Sequence, residues 1–369
     1  MQYRNGEKNI VGIINLRAIA ILLVFIYHYN SFFTTPSWLL PIAKFGYTGV
    51  DLFFVISGYL IANKLFANYN LHHTLYLSSF YANRCLKIIP PFFFILLLYF
   101  SFPILREKEG LSALLKYLTF TQNYQLNILK TGAFNHAWSI CVEMQFYFLF
   151  PIFLLIIIQY KLIEKFATSL IILFAIGILV RHFYWLKIDS IFGGTKSFIS
   201  FWAMKIYFPT YCRLDGLLIG IAIAYLYNFK NKITANFFNK GNYLLAIGVV
   251  VLILSFLLCK NQTSYLASVF GFLFISVGYG FIVLAALQPN TLFLSRSYFI
   301  CNQIATLSYS IYLCHKIILH LCLQYFCKPY LPIHSILVLI GAFTITFLAS
   351  FCLHELVEKP FSKLKRKTI

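Results

Sequence analysis

The chain has 369 residues, of which 60% are hydrophobic and 11% charged, and its mean hydropathy is +0.79. Soluble chains average about 25% charged residues, so the soluble two-domain protein that length alone suggests is excluded. Long apolar runs rich in Phe (41) and Tyr (26) favour a helical bundle over a barrel of short alternating strands. The net charge of +20 would point to nucleic acid on a soluble protein; here the basic residues flank apolar segments, where they set topology and meet anionic lipid, and no nucleic-acid partner is expected.

Apolar windows of about 20 residues predict an all-α membrane protein, a polytopic bundle of about ten transmembrane helices with no soluble domain. The spans run from Ile10 to Asn30, Phe45 to Phe66, Ile88 to Leu105, Ile140 to Gln159, Phe166 to Leu186, Tyr207 to Tyr227, Tyr243 to Cys259, Thr263 to Leu287, Ile304 to Phe326 and His334 to His354. The first lacks a small-residue cleavage site and contains Arg17 and His28, so it is expected to stay in the mature protein. The weaker stretch Ile191 to Trp202 is expected to be re-entrant or interfacial. The longest stretch between spans, Arg106 to Ser139, has about 34 residues and leaves no room for a soluble enzymatic domain. This gives a membrane domain at 9–361 and a basic tail at 362–369. No internal repeat of the kind found in many transporters is visible.

Counting Lys and Arg on alternate sides gives sixteen on the side of the N-terminus, among them Arg4, Lys8, Arg84, Lys87, Lys232 and the run Lys363 to Lys367. Ten fall on the other, among them Arg106, Lys116, Lys205 and Lys328. The bias places both termini in the cytoplasm. The nine cysteines form no CxxC pair and lie mostly in apolar runs, so they read as small buried hydrophobes, with neither disulfide nor metal site.

Acidic residues are scarce enough for their positions to inform. Asp51, Glu143 and Asp215 fall at or within spans and Glu355 and Glu358 at the end of the last, with Arg17, Arg181, Arg213 and Lys316 as basic counterparts. An ionised group at bilayer depth costs at least about 2.5–3.5 kcal/mol, so each needs a partner, a wet cavity or a function. Arg17 and His28 are 11 residues apart on one helix, hence about 20° apart in direction and about 16 Å along the axis, and both are expected on one inward stripe. They are either a helix-packing polar pair or a reactive one; an imidazole that titrates near neutrality suits proton transfer from a hydroxyl.

Seven segments in order resemble the acyltransferase-3 family of integral membrane acyltransferases. They are Arg17 with His28; Gly49-Val-Asp51 through Ser57-Gly58-Tyr59; Phe80-Tyr-Ala-Asn-Arg84-Cys-Leu-Lys87-Ile-Ile-Pro90; His136-Ala-Trp138-Ser139-Ile-Cys-Val-Glu143-Met-Gln145-Phe-Tyr147; Arg213-Leu-Asp215-Gly216; Ser308-Tyr309-Ser310-Ile-Tyr312-Leu-Cys-His315; and Glu355-Leu-Val-Glu358-Lys-Pro360. The resemblance covers about Asn9 to Phe361. It implies a ten-helix enzyme of the bacterial inner membrane that moves an acyl group, usually acetyl from cytoplasmic acetyl-coenzyme A, onto a hydroxyl of an envelope carbohydrate such as lipopolysaccharide O-antigen, capsule or an exported oligosaccharide. In this chain Lys87 stands where relatives often carry Arg, and Met144 where they often carry a second acid.

On that resemblance His28 is expected as general base or acyl carrier, with Arg17 holding donor charge. Arg84 and Lys87, just before the third span, suit the phosphates of coenzyme A, although such residues also set topology. Asp51, Glu143, Arg213 and Asp215 are expected to form an interior network that orients His28 or binds sugar hydroxyls. Trp138, Tyr147 and Tyr309 would supply aromatic platforms, while Trp138 also suits an interfacial anchor. Ser139 and Glu358 join this acceptor or structural network, His136 is a weaker acceptor contact, and Gly49, Gly58 and Gly216 suit close helix approach. Some longer relatives carry a secreted hydrolase-like domain; this chain is expected to finish transfer alone on a lipid-linked or exported glycan. The competing class is a transporter or flippase, for which interior charges would serve but a coenzyme-sized basic mouth would not. A lipid, antibiotic or small-metabolite acceptor, or a longer acyl group, remains open within the enzyme class.

Overall fold

The computed structural model describes residues 2–230, 240–289, 291–327 and 336–364, with side chains from residue 11 onward. Arg4, Lys8, Lys232, Lys328 and the tail beyond Leu364 lie outside the described side chains. Among the described residues nine helical stretches are long and apolar enough to cross a membrane, and Asp215–Phe229 is a shorter apolar helix. At 15 residues that helix is about 22 Å long against a hydrocarbon core of about 30 Å. Counted with the others it restores the ten predicted passages.

In chain order the helices are α1 (Gln2–Phe32), α2 (Leu40–Phe45), α3 (Gly49–His72), α4 (Leu77–Ser101), α5 (Leu114–Leu118), α6 (Trp138–Gln159), α7 (Phe166–Phe192), α8 (Phe198–Trp202), α9 (Asp215–Phe229), α10 (Gly241–Leu258), α11 (Phe272–Ala286), α12 (Phe299–Leu321), α13 (Ile336–Leu353) and α14 (Lys359–Lys363). The stretch expected to be re-entrant or interfacial is a turn at 193–197 and the five-residue α8, continued by a π-helical turn at Ala203–Tyr207. Helix α4 begins eleven residues before the predicted third span, so Arg84 and Lys87 lie inside a helix and not in a loop ahead of it. A hydropathy window finds only the part of a helix that lies in hydrocarbon, and the polar first turns of α4 escape it.

The helices sort by exposure. The spans containing α11 and α12 are 72% buried, whereas those of α7, α10 and α13 are 11%, 22% and 28% buried and form the lipid-facing periphery. Helices α3 and α9 run parallel in close contact, because Gly58 and Gly216 lack side chains where the backbones meet. A Cβ on Gly58 would fall against the backbone oxygen of Leu217, and one on Gly216 would fall 2.8 Å from the Phe54 Cβ. Small residues let membrane helices approach until dispersion contacts replace the hydrophobic effect that lipid does not supply. All nine cysteines are free thiols.

The connection 102–134 packs onto the end of the bundle. The Arg106 guanidinium donates to the Tyr99 and Phe100 carbonyls at the C-terminus of α4, at 2.7 and 3.0 Å. Phe134 stacks with both Tyr99 and Tyr117, and it carries the chain directly into Asn135 and His136 at the start of α6.

Candidate functional site

The first helix serves two chambers. The smaller, about 130 Å³, is lined by Arg17, Ser57, Arg84, Lys87, Ser139, Glu143, Tyr147, Ser308, Tyr309 and Tyr312. The larger, about 910 Å³, is lined by His28 and His136 with Asn135, Trp138, Trp202, Tyr207, Phe208, Lys44 and Lys260. Arg17 and His28 therefore do share the inward side of α1, as their spacing predicts, but open into different spaces. Val50 and Tyr312 line both chambers and form the wall between them. The Tyr312 hydroxyl donates to the His136 carbonyl at 2.7 Å and is 2.6 Å from the Ser139 hydroxyl, which holds the ring in that wall.

In the smaller chamber Arg17, Arg84, Glu143 and Tyr309 are each held by a neighbour. Arg17 donates to the Ser308 hydroxyl at 2.9 Å, and Ser308 donates to the Ala305 carbonyl at 2.8 Å. Glu143 accepts from Ser57 at 2.8 Å and from Tyr147 at 3.2 Å. The Arg84 guanidinium lies 5.3 Å from the Tyr147 ring centre, within cation–π range. Tyr309 donates to the Ile88 carbonyl at 2.9 Å. Three basic side chains around one carboxylate make the chamber a receptor for negative charge.

The larger chamber has a different chemistry. Aromatic faces from Tyr27, Tyr47, Trp138, Trp202, Tyr207 and Phe208 surround it, and Asn30, Asn135, Asn261, Gln262 and Thr263 add amides and hydroxyls. Among the described residues no Asp or Glu lines it. Rings beside hydrogen-bonding groups that both donate and accept match a polyhydroxylated molecule with apolar faces.

The expected network joining Asp51, Glu143, Arg213 and Asp215 to His28 does not exist as one unit. Asp51 pairs with Arg213 at 2.8 Å, both nearly inaccessible at 2% and 1% exposure. Arg213 is also sandwiched against Phe272, Tyr207 and Trp138, its centre 4.0, 4.8 and 5.2 Å from their ring centroids. Asp215 instead takes Arg181 in a two-point ion pair at 2.5 and 3.1 Å, and Arg181 also donates to the Cys212 and Val269 carbonyls. These pairs lock α9 to α3 and α7. Glu143 lies in the Arg17 chamber, apart from both.

Two further expectations are corrected by placement. Tyr147 and Tyr309, expected as sugar platforms, face the basic chamber with Arg84; of the three aromatics named, only Trp138 reaches the His28 chamber. Glu358 lines neither chamber, being turned by a π-helical end of the last span onto Ser310 at 2.9 Å and His354 at 3.0 Å.

Sequence reasoning passed over His315 and Tyr312, which appeared only inside a motif, and left Lys316 without a partner. Lys316 reaches Glu107 at 2.7 Å and the Asn135 side chain at 2.6 Å. Two polar neighbours, His315-Lys316, inside an apolar run were the available signal. Among the described residues, no group of three or more His, Cys, Asp or Glu side chains is arranged to hold a metal ion.

A family model described as an acyltransferase domain matches residues 10–355. The peptidoglycan O-acetyltransferase OatA of Listeria monocytogenes is 29% identical over 85% of this chain and 50% of its own length. A putative O-acetyltransferase of Staphylococcus aureus strain COL is 28% identical over 96% of this chain and 58% of its own. The O-acetyltransferase OatA of S. aureus strain NCTC 8325 is 27% identical over 97% and 58%. The chain thus spans about half the length of the curated relatives it matches. No solved structure matches it.

Proposed function

The chain belongs to the acyltransferase family whose model it matches, and from that premise we propose that it moves an acetyl group from acetyl-coenzyme A to a hydroxyl of a cell-envelope carbohydrate. The observation that carries the reading is the pair of chambers with one common wall: a basic one holding Arg17, Arg84 and Lys87, and an aromatic, amide-rich one holding His28.

With both termini cytoplasmic, as the basic-residue bias supports, the Arg17 chamber faces the cytoplasm. Its 130 Å³ suits the acyl-thioester end of a donor and not its nucleotide. The phosphates would lie at the mouth, where Arg84 and Lys87 offer charge-assisted contacts. The acceptor sugar stacks on the aromatic faces of the larger chamber. His28 takes the proton of the acceptor hydroxyl as the new C–O bond forms and the thioester C–S bond breaks, and the leaving thiolate recovers a proton. Because Arg17 and His28 are about 16 Å apart along α1, the acyl end must pass the Tyr312–Val50 wall to reach His28.

The chamber and the relatives together support a glycan acceptor. The Listeria relative is named for peptidoglycan, which joins lipopolysaccharide, capsule and exported lipid-linked glycans as the acceptor class; Lys44 and Lys260 at the chamber suit a glycan bearing phosphate or carboxylate. The test uses sealed membrane vesicles given acetyl-labelled acetyl-coenzyme A and, in separate reactions, peptidoglycan fragments, capsular oligosaccharide and lipopolysaccharide. Label should reach one of these glycans and be lost with His28→Ala and with Arg17→Ala, both variants remaining in the membrane. Label on no carbohydrate in the wild-type vesicles would overturn the reading.

A further inference from the structure

His28 is one of three imidazoles packed together. The ring centroids of His28 and His315 are 4.9 Å apart and those of His315 and His136 5.0 Å, whereas His28 and His136 are 6.5 Å apart. Two imidazoles joined by an N–H···N bond of about 2.9 Å have centroids about 5 Å apart; His315 stands at that separation from both His28 and His136, and as the rings are turned in the structure the bond is not made, so a rotation of one ring would make it.

The chemistry of His315 is fixed from behind. Its Nδ1 lies 2.7 Å from the Tyr312 carbonyl and 3.2 Å from that of Ile311. Carbonyls only accept, so Nδ1 carries the proton and the neutral ring keeps its lone pair on Nε2. That Nε2 is buried and has no hydrogen-bond partner. A buried acceptor without a partner costs about 1–3 kcal/mol, so its presence calls for a reason. Exposure separates the two rings: His28 lines the chamber, while His315 is 0% exposed and sits behind it. The neighbouring Lys316 ammonium is turned into Glu107 and Asn135, and the Tyr312 hydroxyl is bonded to the His136 carbonyl, so neither claims Nε2, which leaves the His28 and His136 rings as the donors within reach.

We propose that His315 is a positioning residue for His28: its Nε2 lone pair accepts the N–H of His28 and holds that ring with its other nitrogen bare and aimed into the chamber. The inference rests on the reading of His28 as general base. During transfer the proton of the acceptor hydroxyl goes onto the bare nitrogen of His28, C–O forms as C–S breaks, and the thiolate takes that proton back; His315 exchanges no proton with substrate. A second residue that fixes the tautomer and direction of a reactive imidazole is a recurring device, and losing it lowers turnover more than donor binding.

The test separates His315 from both fold and donor site. His315→Asn keeps an amide N–H near Nδ1 for the Tyr312 carbonyl but nothing at Nε2, and His315→Gln places an amide oxygen near Nε2. In the vesicle assay His315→Asn should lower kcat about 10–100-fold with the KM for acetyl-coenzyme A unchanged within twofold, and His315→Gln should recover at least a third of the lost rate. The inference fails if His315→Asn stays within twofold of wild type in kcat, if the Asn and Gln variants lose rate alike, or if KM carries the loss. Absence of transfer in the wild type would instead remove the proposed function. A second measurement needs neither variant of His315: in protein labelled with 15N-histidine, His28→Ala should move the His315 Nε2 resonance, and an unmoved resonance overturns the proposal whatever the activity.

Discussion

Asp51→Ala tests whether the Asp51–Arg213 pair is structural. The substitution leaves the Arg213 guanidinium 1% exposed, with Nε and Nη1 already lacking hydrogen-bond partners and its one ion pair removed. The faces of Phe272, Tyr207 and Trp138 offset part of that, by about 2 kcal/mol for a desolvated cation. Removing one partner of a buried pair typically costs about 3–5 kcal/mol, a factor of about 10² to 10³·⁵ in the folded population. Arg213→Met in the same background removes the stranded charge and retains packing volume, so the double variant should regain about 2–3 kcal/mol relative to the sum of the single losses. The assay is the thermal unfolding midpoint of detergent-purified protein for the four members of the cycle, followed by acetyl transfer in vesicles. Additive losses, or an Asp51→Ala variant as stable as wild type, would refute the structural reasoning. A stable but inactive double variant would return Asp51 to the reacting groups.

The other predictions address the helix contact, the donor mouth, the acceptor charge and the loop pair. Gly58→Leu should prevent recovery of folded protein, since even a Cβ collides with the Leu217 backbone oxygen; size-exclusion profiles of the extracted variant check it. Arg84→Ala with Lys87→Ala should raise the KM for acetyl-coenzyme A about tenfold and leave kcat within about threefold, as expected for two phosphate contacts that act equally in ground and transition states. Lys44→Glu with Lys260→Glu should weaken a phosphate- or carboxylate-bearing acceptor and spare a neutral one, read as acceptor KM in the same vesicles. Burial alone would raise the Glu107 pKa, but the Lys316 ammonium and its hydrogen bonds outweigh it and hold the carboxyl below the ordinary 4.5. A depressed folded pKa stabilises at pH above the unfolded value and is lost as pH falls through the folded one, so wild type should lose stability below about pH 4.5 more steeply than Glu107→Gln in unfolding scans across pH.

The bundle was legible because its signal is local: each span declares itself by 20 or so apolar neighbours, and the direction of Arg17 relative to His28 follows from helical period alone. The partners were not legible. Asp51, Asp215, Arg181 and Arg213 stand out singly as charges in apolar runs, but which arginine meets which aspartate depends on α9 lying between α3 and α7, set by glycine contacts far apart in sequence. The wall between the chambers was hidden for the same reason, since it is made by Val50 from α3 and Tyr312 from α12. His315 was hidden by composition, one buried histidine in a span of Tyr, Leu and Cys; its weight came only from the distance to His28.

That wall gives the two chambers their sense. A transferase that uses a thioester must keep the acyl carbon from water until the acceptor alcohol is in place, because water competes for the same electrophile. One continuous wet tunnel joining Arg17 to His28 would admit water to both ends at once. A partition of Val50 and of Tyr312, the latter held by hydrogen bonds to Ser139 and to the His136 backbone, would on the proposed reading admit a thin acyl arm by a local movement while the aromatic chamber beyond it holds the sugar. Tyr312 and His315 lie three residues apart on α12, and His315 bonds the carbonyl of Tyr312 itself. On the proposed reading, the side chain in the wall and the residue behind the base thus lie on one turn of one helix, which would tie opening of the wall to the orientation of His28.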